Sequence, residues 1–86
     1  MTTYRIELRP AAARALRKLD PAIRPRIQGA IGLLAGDPRP PASRPLRGRA
    51  GYRVRVGDYR IIYSMADDVL LIVVVALGHR GEVYDR

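Results

Sequence analysis

Residues 52–63, Tyr-Arg-Val-Arg-Val-Gly-Asp-Tyr-Arg-Ile-Ile-Tyr, carry the pattern of a β-hairpin. Charged and apolar side chains alternate before Gly57-Asp58, and a glycine followed by a polar residue is typical of a two-residue hairpin turn. If these two residues form the turn, Val56 lies opposite Tyr59, and the pairing continues residue by residue to the ends of the segment. The segment therefore predicts a sheet with two unlike faces.

Three arginines gather on one of these faces. The predicted register sets Arg55 directly opposite Arg60, with Arg53 two residues away on the same side, whereas the tyrosines and valines point to the other side. Like charges that face each other across a sheet destabilise it by up to roughly 1 kcal/mol. We therefore expect this face to have an anionic partner.

The overall charge agrees with an anionic partner. The 86 residues include 16 Lys and Arg against 8 Asp and Glu, a formal net charge of +8, and Lys18 is the single lysine. Guanidinium groups bind phosphates in a bidentate manner and stack on bases, so arginine is the cation best suited to nucleic acid. A coding sequence rich in G and C would also favour arginine. Charge alone therefore indicates nucleic acid or another polyanion.

The composition excludes several kinds of site. The chain has no cysteine and one histidine, His79, so it can form neither a disulfide nor a thiolate zinc site, and a metal centre would need carboxylates beside His79. The apolar run Val69–Leu77 is far shorter than the roughly 20 residues that span a bilayer, and no apolar signal region opens the chain. We expect a cytoplasmic protein with no cofactor, no metal and no membrane association.

The rest of the chain predicts two helices and further strands. Tyr4–Leu8 alternates like a half-buried strand, and Pro10 can open a helix that runs to Lys18. Apolar residues at helical spacing indicate a second helix over Ile23–Leu34, and the proline-rich stretch 37–45 predicts an irregular loop. Val69–Ala76 is continuously apolar, as is typical of a central strand covered on both faces.

These elements follow the order β-α-α-β-β-β within one domain, residues 1–86. Two amphipathic helices bury their apolar sides on the apolar face of the sheet, which leaves the arginines open to solvent. We predict an α+β two-layer sandwich, in which a helical hairpin packs on one face of a mainly antiparallel four-stranded sheet. Gly29 and Gly32 in the second helix are expected to permit close approach to the first helix.

This order and three motifs resemble the RelE/ParE superfamily of toxins from bacterial type II toxin–antitoxin systems. The motifs are Leu46-Arg-Gly, the hairpin of residues 52–63 and Gly78-His-Arg-Gly-Glu-Val-Tyr84, so the resemblance covers nearly the whole chain. It is closer to the RelE branch, whose members enter the ribosomal A site and cut the messenger RNA there.

The resemblance also implies which residues act. In the RelE branch, cleavage needs no metal: a 2′-hydroxyl attacks the adjacent phosphate, which calls for a base, an acid and cations near the developing charge. Arg47 and Arg49, which flank the hairpin, are expected to extend the RNA-binding surface of Arg53 and Arg55, and Arg44 could extend the same basic surface. The positions that match functional residues of the branch are Arg53, Arg55, Arg60, Arg80 and Tyr84.

One departure from the RelE pattern affects the chemistry. RelE proteins have lysines at the positions of Arg53 and Arg55, and one of those lysines is a proposed general base. Arginine keeps its proton at any working pH, so Arg55 is expected to clamp the phosphate instead. Proton removal then passes to Tyr84, to His79 or to no efficient base. His79 is the better match at neutral pH, because histidine ordinarily titrates near pH 6.5.

Three functions are compatible with the sequence. The first is a ribosome-dependent messenger RNA endonuclease that inhibits translation. Its partners would be 16S ribosomal RNA, the A-site message and a cognate acidic antitoxin, the last in a hetero-oligomeric complex. The second is a ParE-like inhibitor of DNA gyrase without nuclease activity, and the third is a non-toxic RNA-binding module. Arg60, Arg80 and Tyr84 favour the first function, whereas the absence of both lysines favours the second.

Overall fold

The computed structural model describes residues 3–79 and places two helices and five strands within them. The elements are β1 (Arg5–Leu8), α1 (Pro10–Lys18), α2 (Arg24–Leu34), β2 (Ser43–Pro45), β3 (Tyr52–Val56), β4 (Tyr59–Ala66) and β5 (Leu71–His79). They form one sheet in the order β1-β5-β4-β3-β2, in which β1 runs parallel to β5 and the other neighbours are antiparallel. The predicted α+β two-layer class is confirmed.

The sheet has one strand more than the sequence predicted. β2 lies inside the proline-rich stretch, where Ser43, Arg44 and Pro45 pair with β3. Proline is tolerated there because β2 is an edge strand, so its missing N–H need not break the ladder. The predictions of a four-stranded sheet and of a wholly irregular loop were therefore wrong.

The strand β5 also differs from its prediction. Val69 and Leu70 belong to the turn after β4, where Leu70 has a φ of 53°, and the strand continues to His79. β5 is central, between β1 and β4, but Val75 is 39% exposed on the side away from the helices. Within residues 3–79 no helix lies over that side of β5, so the prediction that both faces of this strand are covered was wrong at Val75.

A β-bulge in β5 changes which side chains face the helices. Ile62 of β4 pairs with Ala76, but the next residue, Tyr63, pairs with Val74, so Val75 is an additional residue in β5. An extra residue reverses the alternation beyond it. The bulge therefore turns the side chain of His79 toward the helical side of the sheet.

The core lies between the helices and one face of the sheet. Side chains from α1 and α2 meet side chains from β3, β4 and β5 there, and burial of this apolar surface holds the two layers together. The other face of the sheet carries no helix among residues 3–79. The buried cluster consists of Ala12, Ile27, Ile31, Leu34, Val54, Ile61, Tyr63, Ile72, Val74 and Leu77.

The glycines of α2 do not mark a close helix contact. A Cβ atom added at Gly29 or Gly32 would meet no atom within 4 Å, so the expectation of close approach to α1 was wrong. Gly51, before β3, is different. It has a φ of 119°, and a Cβ atom there would lie 3.0 Å from the carbonyl oxygen of Tyr63 and 3.1 Å from Cδ1 of Leu46.

We expect Gly51→Ala to lower the free energy of unfolding by about 1–3 kcal/mol, because the backbone conformation is strained for alanine and the site has no room. Gly29→Ala is the matched control, in the open interior of α2, and is expected to stabilise by up to about 1 kcal/mol. Urea denaturation of both variants measures the difference. Equal effects of the two substitutions would contradict this account of Gly51.

Candidate functional site

The hairpin of β3 and β4 has the register predicted from the sequence. All five residue pairs agree, including Arg55 opposite Arg60. Gly57 has a φ of 61° whereas Asp58 has a negative φ, the pattern of a type II′ turn. The local sequence therefore sets both strands and the turn between them.

Arg53, Arg55 and Arg60 lie on the sheet surface opposite the helices, and we call this surface the arginine face. Arg53 and Arg60 are half-buried and Arg55 is exposed. The Nε atom of Arg60 is buried, and the residue opposite Arg60 on β5 is Gly78, which has no side chain. A partly buried guanidinium attracts an anion more strongly than one surrounded by water, because the local dielectric is lower.

A fourth arginine reaches the arginine face through β2. Arg44 pairs directly with Arg53, and a notch of about 190 Å³ is lined by Ala42, Arg44, Arg53 and Arg55. The sequence indicated that Arg44 could extend the basic surface beside the hairpin. Its direct pairing with Arg53 depends on β2, for which the short segment before Leu46 gives no local signal.

The other two predicted RNA-binding residues lie outside the sheet. Arg47 and Arg49 are exposed in the loop that joins β2 to β3, beside Gly48 with its φ of 72°. They flank the arginine face as expected from the sequence. Their role in RNA binding stays a prediction.

His79 does not join the arginines. Its ring meets the ring of Tyr59 edge-on, with 5.6 Å between centroids and 80° between planes, and the two residues pair across β4 and β5. Tyr59 belongs to the helical side of the sheet, so His79 lies on the side opposite Arg60. The expectation that His79 works beside the arginines does not fit this placement, and the bulge at Val75 is the reason.

Arg80 and Tyr84, which the resemblance matched to functional residues, lie outside the described residues 3–79. Within those residues there is no group of three or more His, Cys, Asp or Glu side chains that could hold a metal ion. In the same part of the chain, neither helix is long and apolar enough to cross a membrane.

A group of four side chains fastens the proline-rich loop to the sheet, and we call it the loop clamp. The Arg39 Nη2 atom donates to Asp67 Oδ2 at 2.9 Å, and the Tyr4 hydroxyl donates to Asp67 Oδ1 at 2.6 Å. Arg39 also donates through Nε to the Tyr52 hydroxyl at 3.3 Å, with its guanidinium 5.6 Å from the centre of that ring. The loop clamp thus joins the start of β1, the loop, β3 and the turn after β4.

The loop clamp should make stability depend on pH. Hydrogen bonds from Arg39 and then Tyr4 hold the pKa of Asp67 below its ordinary value. A carboxyl whose folded-state pKa is depressed stabilises the fold above its unfolded pKa, and this contribution is lost as the pH falls through the folded value. We expect Asp67→Asn to lower the melting temperature at pH 7, and the difference from wild type to shrink as the pH falls below about 4 and to vanish only below the depressed folded-state pKa of Asp67.

Glu7→Gln serves as the control for Asp67→Asn. Its partner Arg5 lies two residues away in the same strand at 3.4 Å, so that ion pair joins no separate elements. Thermal melts from pH 7 down to pH 3 should show a smaller effect for this variant. A difference between Asp67→Asn and wild type that is as large at pH 3 as at pH 7 would contradict the proposed role of the carboxylate.

Comparison with known proteins finds relatives that are all toxins of one kind. Residues 6–84 match the family model for the ParE toxin of the type II toxin–antitoxin system parDE. A putative RelE-like toxin protein of Escherichia coli is 31% identical, with 95% of this chain and 90% of that protein covered. The toxin RelG of Mycobacterium tuberculosis is also 31% identical, over 96% of this chain and 98% of that protein.

A solved structure supports the same relationship. The RelE–RelB complex of the archaeon Pyrococcus horikoshii contains a chain that is similar to this one with a TM-score of 0.81 and 31% identity. The match covers 94% of this chain and 99% of that chain. Sequence and fold therefore agree over almost the full length.

Proposed function

We propose that this chain, which belongs to the RelE/ParE superfamily of toxins from type II toxin–antitoxin systems, is a ribosome-dependent endoribonuclease that cuts messenger RNA without a metal. Its place of action would be the cytoplasm, where the ribosome is. The relatives with RelE-type names support this branch of the superfamily.

One observation carries the proposal: Arg55 and Arg60 face each other in register on a surface that no described helix covers. Facing cations disfavour the fold, and Arg44 opposite Arg53 repeats the arrangement one strand away. A chain of phosphates could bind across both pairs. RNA in an extended conformation has the charge spacing and the length to do so.

The arrangement supports stabilisation of charge more than it supports proton transfer. In the proposed reaction the 2′-hydroxyl attacks the adjacent phosphorus and the bond to the 5′ oxygen breaks, which leaves a cyclic phosphate and a 5′-hydroxyl. Arg60 and Arg55, which face each other across β3 and β4, would stabilise the charge that develops on the phosphate oxygens. Neither can accept the proton, and His79 faces the helices. Tyr84 remains the candidate base, so proton transfer is expected to limit the rate.

The proposed neutralising partner is an acidic antitoxin that covers the arginine face. A net charge of +8 would attract such a partner and speed its association. One similar solved structure is a RelE–RelB complex, which supports a pairing of this kind. The resulting assembly would be hetero-oligomeric.

Induction of the protein in a bacterial host, followed by mapping of messenger RNA 5′ ends, tests the proposed function. We expect new ends inside translated codons, and their loss from a reporter message whose start codon has been removed. Intact messages during growth arrest would contradict the proposal.

A second candidate is inhibition of DNA gyrase. Two observations favour it: the matching family model is that of the ParE toxin, and arginine stands at both positions where RelE proteins carry lysine. A supercoiling assay with purified gyrase distinguishes the two functions. Inhibition near equimolar protein, with messages left intact, would favour this candidate.

A further inference from the structure

The notch between β2 and β3 is a separate feature of the arginine face. Three of its four lining residues are arginines, namely Arg44, Arg53 and Arg55, and the fourth is Ala42, whose side chain is small. A volume of about 190 Å³ leaves ample room for a phosphate group. The size and charge of the notch suit a single tetrahedral anion.

The guanidinium of Arg44 is held in place by its own loop. Its Nη1 atom donates to the carbonyl oxygens of Pro41 at 2.9 Å and Ser43 at 2.7 Å. These bonds involve one of its three nitrogens, and an arginine has five N–H donors in all. The side chain is therefore oriented in advance, while its Nε and Nη2 atoms can serve an anion.

The loop that carries Arg44 is itself fixed to the core. The hydroxyl of the buried Tyr63 donates a hydrogen bond to the carbonyl oxygen of Pro38 at 2.7 Å. The hydroxyl of Ser43 donates one to the carbonyl oxygen of Pro40, also at 2.7 Å. The loop clamp holds the same stretch through Arg39. A group that is ordered before binding loses less conformational entropy when its ligand arrives. The loop thus presents Arg44 as a preorganised cation.

The notch cannot hold the same phosphate as Arg60. Arg60 is on β4 and Arg44 on β2, two strand spacings or about 10 Å apart across the sheet. Arg55 stands between them, since it lies opposite Arg60 and also lines the notch. Two neighbouring anion-binding positions on one surface match a polymer of phosphates.

We propose that Arg44, Arg53 and Arg55 form a second phosphate subsite, which binds the RNA backbone beyond the phosphate held by Arg60. The proposal rests on the proposed function in taking RNA as the ligand. Arg44 is then an affinity determinant that acts outside the cleaved bond. Its removal weakens substrate binding more than it slows the chemical step.

The experiment measures binding of a fluorescently labelled single-stranded RNA oligonucleotide to the purified full chain between 50 and 200 mM salt. Each phosphate contact to a single strand adds about 0.7 to the slope of log affinity against log salt. Arg44→Ala is expected to weaken binding about five-fold at 0.1 M salt and to lower the slope by about 0.7. Arg44→Lys, which keeps the charge, should restore the slope.

Arg17→Ala is the matched control. Arg17 is exposed on α1, in the layer opposite the arginine face, so this variant removes the same charge from the other side. Its affinity for the RNA should remain within two-fold of the wild-type value, and its salt slope should remain within about 0.2 of the wild-type slope. Circular dichroism and thermal melts check that each variant is folded.

The outcomes separate this proposal from the proposed function. Equal losses for Arg44→Ala and Arg17→Ala would overturn the subsite, because net charge alone would then explain binding. The same holds if wild type does not bind the oligonucleotide. In either case, 5′ ends inside translated codons would still support the nuclease. Their absence would overturn the proposed function instead.

Discussion

Arg60→Ala is expected to lower the rate of messenger RNA cleavage on the ribosome about 100- to 1,000-fold, the effect of removing one preorganised donor to a developing oxyanion. Arg60 is the half-buried arginine at the centre of the sheet, between Arg55 on β3 and Gly78 on β5. Its position is set by two strand pairings, so it needs little reorganisation when charge develops. We expect the loss mainly in kcat, because the interaction strengthens in the transition state.

The control for Arg60→Ala is Arg17→Ala, which should cleave at the wild-type rate. Arg80→Ala, at the other position that the resemblance matched, is expected to act in the same direction as Arg60→Ala. Single-turnover cleavage of ribosome-bound message gives the rates, and a thermal melt shows that the variants are folded. A wild-type rate for Arg60→Ala would remove the central residue of the proposed site.

Arg55→Lys is expected to raise the cleavage rate about 100-fold, the lower range of what a positioned general base contributes. An amine can lose its proton, whereas a guanidinium keeps it. The neighbouring cations Arg53, Arg60 and Arg44 would hold the pKa of the new amine below its ordinary value near 10.4. The substitution therefore adds a base at the point where the phosphate is clamped.

The pH profile distinguishes this gain from a better fit of the substrate. The rate of Arg55→Lys should rise with pH up to the pKa of the amine and then level off, because only the neutral amine accepts a proton. Arg55→Gln, which has neither charge nor base, should be slower than wild type at every pH. A rate for Arg55→Lys at or below the wild-type rate would show that proton removal does not depend on this position.

The hairpin could be predicted from the sequence because its determinants are local. The alternation of residues 52–56 and the Gly57-Asp58 turn specify the register without help from the rest of the chain, and the structure agrees pair by pair. Helix α1 could be predicted equally well, since it begins at Pro10 and ends at Lys18 as the sequence indicated. The arginine face follows directly from these local patterns.

The features that escaped prediction depend on contacts distant in sequence. β2 is a strand only because β3 offers it an edge, so the direct pairing of Arg44 with Arg53 could not be predicted from the sequence. The ion pair of Arg39 with Asp67 joins residues 28 positions apart. Neither segment carries a local pattern that indicates its partner.

The position of His79 could not be predicted for a different reason, which is the β-bulge in β5. Residues 73–75 are all valines, so the sequence gives no sign that Val75 is the additional residue of a bulge. Strict alternation from Val74 would place His79 with the arginines, and the bulge moves it to the ring of Tyr59. One residue in the middle of β5 thus decides whether a titratable group joins the arginine face.

Cleavage in a purified translation system is the decisive test of the proposed nuclease. Ribosomes are stopped on a defined message with an empty A site, the protein is added, and the ends of the RNA are mapped. We expect a cut within the A-site codon, a cyclic phosphate and a 5′-hydroxyl at the new ends, and no cut when ribosomes are omitted. A message that stays intact, while the same preparation inhibits gyrase supercoiling, would contradict it.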